Sequence, residues 1–108
     1  MRIHSKLLLL ALLCAASANA QDPKAARTWK AKCASCHGAD GKGKTDQGQK
    51  LKLTDLSSPA WQKEASDAKI KDVITNGIKK GDAEMEGYKD KLDGPTIDSL
   101  VAYVRTLK

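Results

Sequence analysis

Apolar residues near the end of this 108-residue chain recur at helical spacing. Ile97, Leu100, Val101, Val104 and Leu107 form a single stripe, with Tyr103 beside it. A helix is predicted there, opened by Asp93-Gly94-Pro95. Ile70, Val73 and Ile74 predict a second helix that starts near Ser66 or Asp67 and stops at Gly77, a natural C-terminal residue after Asn76. A third is expected from Asp22, a favoured cap, and Pro23, a favoured first residue. It should run to about Cys33, with Ala25, Trp29 and Cys33 on one face. Ser58-Pro59 should open a short helical turn that carries Trp61. Gly38–Lys44 reads as a loop, residues 45–58 as polar and irregular, and the polar, Gly-bounded stretch Gly81–Tyr88 as another loop. Strand-like alternation of useful length is lacking, so the fold class expected is all-α.

The first 20 residues follow a different pattern. Arg2 and Lys6 precede the apolar run Leu7–Leu13, and Ala18-Asn19-Ala20 fits the small-x-small rule of a secretory cleavage site. The run is short for a permanent bilayer span, which needs about 20 residues. Residues 1–20 therefore read as a cleaved secretory signal peptide, and residues 21–108 as one domain. Two other readings compete. One is an uncleaved anchor. The other is a lipoprotein with Cys14 as the lipidated residue, although Leu13 is a poor neighbour for that modification. Export implies a periplasmic protein with no stable membrane insertion.

Removing the leader changes the composition. The chain carries a formal net charge of +6, and residues 21–108 keep 17 basic against 13 acidic residues, a net of +4. Ala and Cys aside, this segment holds only 18 apolar side chains and no Phe. A chain so poor in core residues needs a staple: a disulfide, a metal or a cofactor. A large enzyme core, a transporter and a multidomain protein are excluded.

The staple is legible in Cys33-Ala34-Ser35-Cys36-His37. A C-x-x-C-H string is the attachment signature of a c-type haem. Two thiols add across the two vinyl groups on one porphyrin edge, and the next residue lies beneath the ring with its imidazole towards the iron. Zinc would want four ligands, and the segment has neither a second Cys pair nor another His. A redox dithiol belongs in a βαβ setting that the pattern lacks. A disulfide between such close cysteines would constrain little chain.

Haem iron has a sixth position. Past the leader His37 is the only His, and Met85 is the only thioether, 48 residues downstream. A Met in a polar loop is poorly explained as core filling, so Met85 is the candidate distal ligand. Packing beneath its own loop is the alternative, and Lys79 or Lys80 are poor substitutes when protonated.

These residues make the chain similar to the class I cytochrome c family over essentially all of residues 22–108. The resemblance rests on the helix leading into Cys33–His37, on Met85 followed by Tyr88-Lys89-Asp90-Lys91-Leu92, and on the helix containing Leu100-Val101-Ala102-Tyr103-Val104. It implies the cytochrome c fold, with three main helices and short helical turns around one haem. It also implies crossing terminal helices that meet at Ala25, Trp29, Leu100 and Tyr103. Ala25 stands where the family often has Gly, so a slightly wider crossing is expected. Many bacterial members have Pro just after the ligand Met, and here that residue is Glu86, which implies a less rigid loop. Trp61 has two readings, a donor to a haem propionate or a core side chain.

The resulting expectation is a soluble monohaem c-type cytochrome, a one-electron carrier between redox proteins and not an enzyme. Cys33 and Cys36 would hold haem c through thioethers, and His37 and Met85 would ligate its iron. His/Met ligation fills both axial positions and raises the potential. Two alternatives are a gas-binding sensor or weak peroxidase, if Met85 leaves the iron free, and an electron-transfer module docked in a larger respiratory complex. Residues 24–52 carry eight basic and two acidic residues, a net of +6. This excess suggests a redox partner with an acidic docking surface, met mainly by Lys30, Lys32, Lys42 and Lys44. A solvated Lys-rich surface is the plainer alternative. Without a basic stripe interleaved with aromatics, nucleic acid is not an expected partner. A monomer is expected.

Overall fold

A computed structural model describes residues 22–108. The leader and its cleavage site at residues 1–20 lie outside the described residues. Six helices and one two-stranded sheet follow in order: α1 Pro23–Lys32, α2 Ala34–His37, α3 Asp46–Leu51, α4 Pro59–Glu64, α5 Asp67–Asn76, β1 Gly77–Lys80, β2 Ala83–Glu86 and α6 Gly94–Arg105. This is the cytochrome c fold that the sequence implies. Among the described residues no helix is long and apolar enough to cross a membrane.

The helix starts are local chemistry. The side chains of Asp22, Ser66 and Asp93 accept hydrogen bonds from the backbone N–H of Lys24, Lys69 and Thr96. Each bond satisfies a donor that a helix N-terminus leaves without an intrahelical partner. The apolar stripe of α6 is buried as predicted, and Leu100 is 1% exposed. Trp29 joins it from α1, Ile70 and Ile74 from α5, and Leu107 from the chain beyond α6. α1 and α6 pack together: Trp29 shares the core cluster with Leu100, the Trp29 and Tyr103 ring centroids lie 5.4 Å apart, and Ala25 is buried on α1. Trp61 packs half-buried against this core, and its indole N–H bonds to no other described residue.

Arg105 ties the end of α6 to the α4–α5 connection. Its guanidinium donates to Asp67 Oδ1 at 2.6 Å, to the Gln62 carbonyl at 2.7 Å and to the Ala65 carbonyl. The Gln62 side-chain amide in turn donates to the carbonyls of Leu56 and Val104, each at 2.8 Å.

α1 runs to Lys32 with Cys33 as its C-terminal cap, as expected. Two expectations need correction. Residues 45–58 are not wholly irregular: the Thr45 hydroxyl caps α3 by accepting from Gly48 N–H. Met85 sits in an antiparallel hairpin, not an open loop, so the all-α reading missed two four-residue strands. Their register pairs Gly77 with Glu86, Ile78 with Met85, Lys79 with Glu84 and Lys80 with Ala83.

Candidate haem site

Cys33 and Cys36 are half-buried free thiols at the α1–α2 junction, and His37 closes α2. Burial pushes the Cys33 thiol up to about 11, and burial holds the His37 imidazole below its ordinary value. The short α2 is braced from both sides. Trp29 Nε1 donates to the Gly38 carbonyl at 3.0 Å in a buried bond, and Gly43 N–H donates to the His37 carbonyl at 2.8 Å. The Thr45 hydroxyl donates to the Cys36 carbonyl at 2.6 Å. Gly38 stands at φ 83°, ψ 156°, a conformation in which a side chain is strained. There the chain turns sharply enough to bring its carbonyl back to Trp29.

The residues present fit a haem. His37 Nδ1 is buried without a hydrogen-bond partner, an arrangement that is costly in a polar ring serving packing alone. The Trp29 ring flanks the imidazole at a centroid distance of 5.8 Å and 36° between planes, which limits its rotation. Among the described residues Cys33, Cys36 and His37 do not form a group that could hold a single metal ion.

Met85 lies on a different element, the hairpin strand β2. Alternation along β2 leaves Ala83 and Met85 half-buried and turns Glu84 and Glu86 to solvent. The thioether thus shares the inner face of the hairpin with Ile78, its cross-strand partner. Gly77 at φ 79°, ψ −178° makes the corner between α5 and β1. A Cβ at this residue would run into the Met85 carbonyl oxygen. Past β2, the N–H groups of Tyr88 and Lys89 donate to the carbonyls of Ile74 and Thr75 near the end of α5, at 2.8 and 3.2 Å. The Tyr88 hydroxyl then reaches across to the Lys32 carbonyl at 3.2 Å. Burial, and to a lesser degree the nearby Cys33, raises the Tyr88 phenol above its ordinary value.

Among the supports, Gly77 was legible as the end of its helix and Tyr88 through the family resemblance, whereas Thr45 and the turn at Gly38 carry no motif. Of the four proposed docking lysines, Lys30, Lys32 and Lys44 are exposed. Lys42 is half-buried and donates to Ser57 Oγ at 2.8 Å, beside Asp55.

A helical domain braced around a C-x-x-C-H turn, with a Met-bearing segment tied back to it, defines a c-type cytochrome, a class of electron-transfer haem proteins. Comparison with known proteins agrees. Residues 20–104 match the family model described as cytochrome c oxidase, cbb3-type, subunit III, and the chain belongs to that family. Its cofactor is haem c, covalently bound, with iron. The chain is similar to the cbb3-type cytochrome c oxidase subunit FixP of Azorhizobium caulinodans, with 37% identity over 84 residues and 78% of this chain covered. The match takes in 26% of FixP, so the chain spans about a quarter of that relative's length. Among solved structures it resembles the KustC0563 c-type cytochrome, with a TM-score of 0.68 and 30% identity over 78% of this chain and 96% of the other. The c-type cytochrome XoxG from Methylobacterium extorquens AM1 shares the fold, with a TM-score of 0.57 and 24% identity over 75% of this chain and 46% of that one.

Proposed function

We propose that this protein is a one-electron carrier between redox proteins and that it catalyses no substrate chemistry. The observation that carries the reading is the turn Cys33–His37, which sets two half-buried thiols and an imidazole in C-x-x-C-H order at the braced α1–α2 junction. Haem c supplies a one-electron iron couple when bound. Cys33 and Cys36 would hold it by thioethers, and His37 on the braced α2 and Met85 on the hairpin would ligate its iron, which would leave no position for a substrate. Both thiols and the one imidazole of residues 22–108 are committed to haem, so neither a nucleophile–base pair nor a free histidine base is left over. Trp61, with its indole N–H unused by the described residues, is the donor proposed for a haem propionate.

Redox partners of this class meet it transiently, and charge steers such encounters more than it tightens them. The exposed Lys30, Lys32 and Lys44 supply the steering charge towards an acidic surface, while Lys42 is occupied by Ser57. The domain acts after export, in the periplasm, as the leader at residues 1–20 suggests. A second reading has a specific basis in the match to FixP: the domain serves as an electron-transfer module of an oxidase complex.

Optical and magnetic spectroscopy of the purified holoprotein in both redox states tests the assignment. Low-spin iron with a Met–iron absorption band is expected, with haem retained through acid–organic extraction. Extractable haem would overturn the attachment, and high-spin iron that binds carbon monoxide unaided would favour the sensor or peroxidase reading. For the partner, electron-transfer rates with an acidic protein should fall as salt shortens the screening length, about 10 Å at 0.1 M. Reversal of Lys30 and Lys32 to Glu should slow them without moving the potential. Rates indifferent to both changes would make the lysines a solvated surface only.

A further inference from the structure

The hairpin that carries Met85 is fastened on two flanks, and the fastenings differ. On the N-terminal flank it grows directly out of α5 through Gly77 and is closed by the β1–β2 ladder. On the C-terminal flank the chain leaves β2 at Glu86, and within two residues its backbone bonds to the Ile74 and Thr75 carbonyls. Both sets of bonds tie Met85 to α5. Neither ties it to the element that bears Cys33, Cys36 and His37.

That connection is made by the Tyr88 hydroxyl. Lys32 is the last residue of α1 and lies next to Cys33. Its carbonyl is one of the C-terminal acceptors that a helix leaves without an intrahelical donor. Among the described residues it accepts from no backbone N–H, and it accepts from Tyr88 Oη at 3.2 Å. The bond spans 56 residues of sequence. The ring is held in place for it: Tyr88 packs against the core, and Lys91 Nζ stands over its face at 5.7 Å from the centroid. Lys91 also pairs with Glu86 at 3.4 Å, so the residue following Met85 is drawn towards the same ring.

We propose that the Tyr88 hydroxyl is a positioning group for the distal ligand, a latch that holds the Met85 segment against the haem-attachment turn and sets how readily Met85 leaves the iron. The proposal rests on the assignment of Met85 as axial ligand. Its chemistry is a single neutral hydrogen bond, whose loss is worth about a fivefold change in an equilibrium or a rate.

Cyanide binding to the ferric holoprotein tests this in a double-mutant cycle. Tyr88→Phe keeps the ring and its packing and removes only the O–H. It should bind cyanide about fivefold faster, in line with that hydrogen bond, and its Met–iron band should be lost at a lower pH than in the parent. In a Met85→Ala background, where no thioether has to be displaced, Tyr88→Phe should leave the cyanide rate unchanged. An equal acceleration in both backgrounds would make Tyr88 a barrier to ligand entry and overturn the latch. So would a Tyr88→Phe protein with parental rate and band, whatever its melting temperature. Persistence of the Met–iron band in Met85→Ala itself would overturn the ligand assignment, an outcome visible before Tyr88 is changed.

Discussion

The two sides of the haem site are held by different physics. The attachment side, α1 with α2, has α1 packed against α6, with Trp29 and Leu100 in one core cluster and each less than 5% exposed. It is fixed further by hydrogen bonds that converge on the Cys36, His37 and Gly38 carbonyls. The ligand side is a four-pair hairpin with only Ala83, Met85 and Ile78 on its half-buried face. Its hold comes from backbone ladder bonds and the Tyr88 tie. Segments with few buried apolar contacts and many solvent-exposed hydrogen bonds open at lower free energy than the core does. The comparison teaches that the C-x-x-C-H turn stands on the better-packed side and Met85, the proposed second ligand, on the more exposed one. A covalent attachment and an exchangeable thioether would suit that division.

The division can be broken most completely on the attachment side. Cys33→Ser or Cys36→Ser should reduce the yield of haem-bearing protein to near background, read by absorbance per unit of protein. The chain has too few apolar side chains to form a stable core without its cofactor. Met85→Ala should instead give good yields of haem-bearing protein, with the Met–iron band lost and the potential lowered.

Next in size is Leu100→Ala at the helix crossing. A cavity beneath Trp29 should cost about 3 kcal/mol in denaturant unfolding of the holoprotein. The Met–iron band should persist until the global transition. A band that fades well before unfolding would show that the crossing supports the hairpin directly.

Gly77→Ala attacks the other side. The residue sits in a region of backbone space open essentially to Gly, and strain there is worth about 1–3 kcal/mol. Because the new Cβ meets the Met85 carbonyl oxygen, the hairpin should open locally. The Met–iron band should weaken at denaturant concentrations where the helical signal is still intact, the reverse of Leu100→Ala.

The smallest effect expected lies in the acid limb of stability. Hydrogen bonds from Thr96 hold the Asp93 carboxyl below its ordinary value. A carboxyl depressed in the folded state contributes stability that is fully present above its unfolded value of about 3.9. That contribution is lost as pH falls through the folded value. The melting temperature should therefore hold down to about pH 4 on this account and decline below it. Asp93→Ala should lower it at neutral pH and flatten that decline.

Much of this was legible in local sequence, because the responsible forces act over a few residues. Asp22-Pro23, Ser66 and Asp93 with Pro95 cap their helices by side-chain and ring geometry that needs no partner element. The stripe Ile97–Leu107 has one face to bury whatever covers it. Cys33, Cys36 and His37 carry their chemistry in their spacing, and Met85 stood out as the only thioether past the leader. Tertiary structure alone decided the rest. A strand of four residues with one or two inward side chains has no periodicity to detect, and β1 and β2 are strands because each pairs with the other. The Thr45 hydroxyl meets the Cys36 carbonyl only after folding. Tyr88 finds Lys32 across 56 residues, and Lys42 finds Ser57 across 15. Such bonds are set by where the helices place the backbone, and the backbone carries no letter in the sequence.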